Sequence, residues 1–253
     1  MKLAVLTLAR YPARHVIPAL HSMPVFRLPL INNNKISFFK LLGCGRSGSF
    51  DIHPDWQQYG IFSVSDSKDL LPFEHDRYEA WKQDYYGKFI TGWWKFFGCE
   101  TWTIILEPIL SHGSWSGVEP FINDLQNPDL QGRGFGGRGF GGQETVAVLT
   151  RATIRLSKAR DFWKNVKPVQ EQMAGAEGLM FSVGIGEIPF LRQATFSIWQ
   201  DAEKMKKFAY GMQQHRDVIA KTRSRDWYSE EMFTRFRPLA QAGFLKGKNP
   251  AVI

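Results

Sequence analysis

The chain reads as an α+β protein: two tandem ferredoxin-like halves forming an intramolecular version of a dimeric α+β barrel, with helices outside. Three observations support this. Short apolar segments recur in the same order: Ala4-Val5-Leu6-Thr7 returns as Ala147-Val148-Leu149-Thr150 at an offset of 143. Phe39-Lys40-Leu41-Leu42-Gly43-Cys44-Gly45 is echoed by Phe181-Ser182-Val183-Gly184-Ile185-Gly186, with Gly43 to Gly184 offset by 141. Phe62-Ser63-Val64 returns as Phe196-Ser197-Ile198 at 134. A smoothly falling offset is the mark of a duplicated unit with loops of different length. The second observation is the order of apolar periods in the second half, β-α-β-β-α-(β), which is the split βαβ pattern. The third is a Gly-rich stretch, 132–142, which cannot bury a core and separates the halves. The divisions expected are 1–130, a linker at 131–143, and 144–253.

Each element has its own warrant. Residues 1–10 hold an apolar run of only seven residues cut by Arg10, with no small-residue cleavage site, so they read as a first strand and not a signal peptide. A cytoplasmic location is expected from this. In the second half, 146–154 is apolar and β-branched, hence a strand. Ser157 can cap a helix whose stripe is Phe162, Val166, Val169 and Met173, kinked by Pro168 and ended by Gly175 and Gly178. Residues 179–186 and 193–199 read as two strands joined by a turn. Asp201 can cap a second helix with the stripe Met205, Phe208, Met212, His215 and Ile219. Residues 227–236 read as continuing helically until Pro238, and Phe244 marks a short last strand.

Composition narrows the function. Two cysteines, Cys44 and Cys99, exclude a disulfide scaffold and Cys-rich metal sites. Thirty-two basic and 24 acidic side chains leave a net charge of +8, spread over the chain without nucleic-acid signatures. The Arg-Gly-Phe-Gly stretch has an RNA-binding reading, but with only Arg133 and Arg138 it reads as a flexible connector. Nine Trp and 20 Phe suit either a generously packed core or a pocket for a large apolar ligand. Gly43-Cys44-Gly45-Arg46-Ser47-Gly48 matches G-x-G-x-x-G, but Ser49-Phe50-Asp51-Ile52-His53-Pro54 follows where a dinucleotide site needs a helix.

His215 is the most informative residue. An imidazole in line with Met205, Phe208, Met212 and Ile219 is either a buried neutral histidine bonded to backbone or an axial ligand to a metal macrocycle. Arg216, Lys221, Arg223 and Arg225 are placed to pair with haem carboxylates, or simply form a solvated face. His75 is the counterpart candidate in the first half, and Cys44 a remoter one.

Several segments resemble the spheroidene monooxygenase family of carotenoid ketolases. They are Leu149-Thr150-Arg151-Ala152-Thr153-Ile154-Arg155, Gly184-Ile185-Gly186-Glu187-Ile188-Pro189 with Gln193-Ala194-Thr195-Phe196-Ser197-Ile198-Trp199, Glu100-Thr101-Trp102-Thr103, and Trp115-Ser116-Gly117. The resemblance implies a dimeric α+β barrel and an O₂-dependent monooxygenase using haem and a ferredoxin-type electron donor. It also implies a proximal histidine on the helix after the third strand, the place of His215. Trp199, Phe208, Met212 and Trp227 are then the apolar walls, Arg223 a carboxylate partner, and Arg151 and Arg192 polar groups near bound O₂ or the haem carboxylates. A cofactor-free barrel monooxygenase and a non-enzymatic haem-binding protein are the alternatives. The partners expected are an apolar small-molecule substrate, O₂, the electron donor, further copies of the chain as a homo-oligomer, and a membrane surface. Net charge and Pro-broken apolar segments such as 25–30 point to the last.

Overall fold

The computed structural model describes residues 1–46, 53–70, 73–121, 144–173, 175–211, 222 and 224–250. Its elements are β1 (Lys2–Arg10), α1 (Val16–Ile31), β2 (Ile36–Gly45), β3 (Pro54–Asp66), α2 (Tyr78–Phe96), β4 (Glu100–Gly113), β5 (Val146–Ile154), α3 (Ala159–Met173), β6 (Leu179–Ile188), β7 (Arg192–Trp199), α4 (Ala202–Gly211) and β8 (Tyr228–Gly243). The order β-α-β-β-α-β therefore occurs twice. The strands are hydrogen-bonded in the order β1-β3-β2-β6-β7-β5-β8-β4, which closes into an eight-stranded antiparallel barrel. Closure leaves no sheet edge open to pairing with another chain.

Two compact units make up the chain. The first contains Met1–Cys44, Asp55–Glu107 and Pro238–Ile253; the second contains Gly45–Pro54 and Pro108–Arg237. In the first, β1 is central, with Leu6 opposite Phe62 on β3 and Ile104 on β4. Both faces of β1 are covered, so it lacks the alternation of a half-wet strand. Leu3, Val5 and Ala9 pack with Phe26 and Leu30 of α1 and Trp81, Tyr85, Tyr86, Ile90 and Trp94 of α2. Hydroxyls in this layer satisfy one another. The Tyr86 and Thr103 hydroxyls each lie 2.7 Å from the Thr7 Oγ1, and the Tyr78 hydroxyl 2.8 Å from that of Thr103. In the second unit β5 is central, with Leu149 opposite Phe196 on β7 and Thr234 on β8.

One segment departs from its sequence reading. Residues 227–236, expected to be helical, belong to strand β8. Met232, Thr234 and Phe236 are fully buried at every second position, but the intervening Phe233 and Arg235 are bulky, Arg235 is buried as well, and together they hide that period. Pro238 does not end the strand: β8 runs on to Gly243, although its pairing with β5 stops at Phe236. Cys44 lies in strand β2, and burial pushes its thiol up to about 12.

Strands β4 and β8 end alike. Gly113 (φ +79) is followed by a bridge between Trp115 and Val118, Gly243 (φ +91) by one between Leu245 and Lys248. The Ser114 N–H then donates to the Glu231 carbonyl, and the Phe244 N–H to the Thr101 carbonyl, each at 2.9 Å. A Cβ on Gly243 would lie 2.0 Å from the Thr101 carbonyl oxygen, while one on Gly247 (φ +70) meets nothing within 4 Å. Gly247→Ala therefore carries only the left-handed backbone penalty, about 1–2 kcal/mol. Gly243→Ala adds a clash with backbone that cannot yield, for about 3 kcal/mol or more in total. Urea unfolding of the two variants separates these terms; equal losses would refute the crowding argument.

Candidate functional site

The repeated tetrapeptide Ala-Val-Leu-Thr gives an internal comparison. Thr7 sits at the centre of β1, opposite Ile61 and Thr103. Thr150 sits at the centre of β5, opposite Thr195 and Phe233. Both project from the helix-bearing face of their sheet, as the packing of their i−2 neighbours Val5 and Val148 shows. Thr7 is fully buried beneath Tyr86 of α2. Thr150 is exposed. A central strand position open to solvent between the flanking helices of a packed layer marks a slot.

The slot has a mixed floor and an apolar side. Thr195, beside Thr150, is buried, and its Oγ1 has no partner among the described residues. Phe233, on the other side, carries the imidazole of His112 stacked on it at 5.3 Å and 25°. Val146 and Val148 pack with Trp199, Met173, Met205 and Phe208, and the rings of Trp199 and Phe208 lie 5.2 Å apart. The Trp199 Nε1 donates to the Ser197 Oγ at 3.0 Å, so that wall presents carbon to the slot.

The opposite face of β5 carries a different constellation. Arg151 is only 2% exposed. Its Nη1 donates to the Glu230 Oε2, and its Nη2 lies 3.8 Å from the Glu187 Oε2. The Trp115 Nε1 donates to the same Glu187 oxygen at 2.8 Å, while its ring lies 5.8 Å from the guanidinium carbon. Glu230 also accepts from the Gly117 N–H at 2.7 Å and the Ser114 hydroxyl at 2.8 Å. Burial pushes the Glu230 carboxyl up, but the bonds from Gly117, Ser114, Arg151 and Ser116 outweigh it and bring its pKa to about 2. The Nε and Nη2 of Arg151 make no hydrogen bond among the described residues.

The residues expected to share one site are thus distributed. Trp199 and Phe208 border the slot. Arg151 faces the other way. Arg192 lines a separate cavity of about 500 Å³ with Thr153, Leu156, Leu191 and Ser229. Trp227 is buried with Ile154 and Phe162, and its Nε1 donates to the Asp161 Oδ2 at 2.8 Å. His215, Met212 and Arg223 lie outside the described residues, as does the side chain of His75. Thr150, Thr195, Phe233 and His112 were not read as site residues. Glu187 and Glu230 were missed too, although a glutamate on the apolar face of a strand is a usable signal once the strand is recognised.

A haem needs an axial donor, a flat apolar slot and partners for its carboxylates. The described residues fit the second requirement: an uncovered sheet centre walled by Trp199 and Phe208, with the orphan Thr195 hydroxyl in its floor. Among the described histidines, His15 bonds the Phe97 carbonyl, His21 bonds the Ile17 carbonyl, and His112 stands at the slot. The buried Cys44 thiol and that of Cys99, also pushed up to about 12 by burial, are poor thiolate donors. No cluster of three metal-ligating side chains occurs among the described residues.

No protein-family model matches the chain. A spheroidene monooxygenase of Rhodobacter capsulatus is 33% identical over 99% of this chain and 95% of its own length. A spheroidene monooxygenase of Cereibacter sphaeroides is 31% identical over 85% of this chain and 60% of its own. Among solved structures, an aldoxime dehydratase in complex with butyraldoxime aligns over 94% of this chain and 79% of its own, with a TM-score of 0.56 and 9% identity. That likeness speaks for the fold alone.

Proposed function

The chain belongs to the spheroidene monooxygenase family, and on that footing we propose that it inserts oxygen from O₂ into a spheroidene-like carotenoid, using haem held by His215 and electrons from a ferredoxin-type protein. It is an oxidoreductase, a monooxygenase. The observation carrying the site assignment is the contrast between sealed Thr7 and open Thr150 within one repeated tetrapeptide. The slot over Thr150, in the second half, is the binding site; the aromatic layer of α2 fills its counterpart in the first.

Bound haem would supply the activation of O₂. The chain's own residues provide the surroundings. His215, in the sequence following α4, would hold the haem iron, and Met212 and Arg223 would serve beside it as apolar neighbour and carboxylate partner. Trp199 and Phe208 exclude water, and the free Thr195 hydroxyl offers a hydrogen bond within the floor. Each insertion consumes one O₂, two electrons and two protons, converts C–H to C–OH and releases one water. A second insertion at the same carbon gives a gem-diol, which loses water to become a ketone. Arg192 lies in a neighbouring cavity, and Arg151 is a positioning residue of the frame. Contact with a membrane, where such a substrate dissolves, is part of this reading.

The same reading makes the two halves one duplicated ferredoxin-like unit. The offsets 143, 141 and 134 extend to 130 between Gly113-Ser114-Trp115-Ser116-Gly117 and Gly243-Phe244-Leu245-Lys246-Gly247. Two positions there keep positive φ despite carrying side chains, Ser116 at +56 and Lys246 at +55.

The test is an absorption spectrum of the haem-loaded protein with an assay in cells accumulating an acyclic carotenoid. Wild type should show a Soret band and yield oxygenated product. His215→Ala should lose the band. Thr150→Trp, a change at an exposed position, should lose band and product while melting within a few degrees of wild type. A colourless but active wild type would overturn the haem assignment in favour of a cofactor-free monooxygenase. Unaltered product with Thr150→Trp would overturn the slot.

A further inference from the structure

Helix α1 is apolar on two opposite faces. Ala19, Ser22, Phe26 and Leu30 are buried against the sheet and α2. Ile17, Leu20, Leu28 and Ile31 are exposed, Leu28 by 66%. At about 100° per residue those four and exposed Pro24 fall within roughly an 80° arc, opposite the buried stripe. Phe26 packs edge-on against Trp93 and Trp94 of α2. Beyond that contact α2 exposes Phe89 and, at 81%, Phe96, seven residues apart with Gly92 between. A face this apolar is unusual on a chain that meets only water.

Its charge pattern names the occupant. No acidic residue precedes Asp51 in the sequence, and none lies between Asp84 and Glu100. Arg14, Arg27, Lys88 and Lys95 are exposed around the apolar stripe, and none forms an ion pair among the described residues. The two acids on α2 are already engaged, Glu79 with Lys82 and Asp84 with Lys35, each at 2.7 Å. A second copy seated on this face would bring these cations against their own kind, a like-charge juxtaposition that opposes pairing. An anionic lipid surface satisfies both parts at once: headgroups take the cations and the acyl boundary takes the aliphatic and aromatic side chains. Pro24 and Pro29 cannot donate to the carbonyls four residues earlier, which suits a helix lying at the wet interface. No helix among the described residues is long and apolar enough to cross a membrane.

We propose that the exposed face of α1 and the C-terminal half of α2 is a docking surface for the headgroup region of an anionic bilayer, held by Ile17, Leu28, Ile31, Phe89 and Phe96 and steered by the surrounding cations. The proposal deepens the membrane contact in the reading above by giving it a face, and vesicle binding tests that face apart from the haem and product assays of the slot.

Co-sedimentation of the full chain with phosphatidylcholine vesicles, with and without phosphatidylglycerol, tests the proposal at low and high salt. Wild type should bind the anionic vesicles and release as salt rises. Leu28→Ser combined with Phe96→Ser should weaken partitioning at least tenfold, and Lys88→Glu combined with Lys95→Glu should abolish the preference for anionic lipid. All three proteins should melt alike and should turn over detergent-dispersed carotenoid equally, which separates this surface from the slot. Absence of wild-type binding at low salt, or undiminished binding by the first double variant, overturns the proposal. So does sedimentation showing a wild-type dimer that Leu28→Ser with Phe96→Ser converts to monomer, because a second copy would then cover the face. An acidic protein is excluded as the principal occupant if lipid alone suffices.

Discussion

Arg151→Met should destabilise the protein by about 3–5 kcal/mol at neutral pH, because it removes the buried guanidinium that bonds Glu230 and lies beside Glu187. The pH dependence distinguishes this from a packing defect. In wild type the Glu230 pKa is held at about 2 against an ordinary 4.5, so its contribution is complete above 4.5 and is lost as pH falls from there toward 2. In Arg151→Met the dependence weakens: the bonds from Gly117, Ser114 and Ser116 still hold the carboxyl down, but the share of the cation is gone, so less stability is lost as pH falls through this window. Melting temperatures at pH 7, 4 and 3 measure it: both proteins should fall, and the gap between them should narrow toward pH 3. Arg151→Lys should lie between, since an ammonium restores charge but not the planar fork that reaches both partners. A loss equal at all three pH values would mean that the side chain acts by filling space alone. Trp115→Phe provides a control, because it keeps a ring near Arg151 and removes only the N–H to Glu187.

How far the sequence foretold this molecule depends on what each signal required. The strands β1 and β5 were legible because they are rich in apolar and β-branched residues and, Thr150 excepted, are covered on both faces. Strand β8 was not, because a period of two vanishes when the alternate positions hold a bulky Phe233 and a buried Arg235 and when Pro238 suggests an end. With β8 read as helix, Glu230 fell on no definable face, and its partnership with Arg151 could not be seen. The slot was illegible for another reason. Thr7 and Thr150 stand in the same tetrapeptide, so nothing local distinguishes them; the difference is made some 80 residues away, where Tyr86 reaches back to Thr7. The stripe on α1 was visible only as an apolar run. A helix with two apolar faces has almost no amphipathic signature, and only the structure shows which side is covered.

Trp227→Ala should cost about 3–5 kcal/mol, the range for emptying a fully buried aromatic site. In a chain of this size that corresponds to roughly 10 °C in melting temperature. The cause is local. The Trp227 ring meets Phe162 edge-on at 5.8 Å and 88°, and together with Ile154 they form a small core that ties α3 to the ends of β5 and β8. Its backbone carbonyl also accepts from the Arg155 N–H at 2.8 Å. Trp227→Phe should lose much less, about 1–2 kcal/mol: it keeps most of the apolar volume and forfeits the N–H bond to Asp161, whose carboxylate retains Arg225. The pair of variants also decides what this tryptophan is for. If it belongs to the core, Trp227→Phe will take up haem with an unshifted Soret band and keep wild-type product yield. If that variant instead loses the band while its melting temperature stays put, the indole faces the ligand, and the wall of the site extends from Trp199 and Phe208 to the far end of α3.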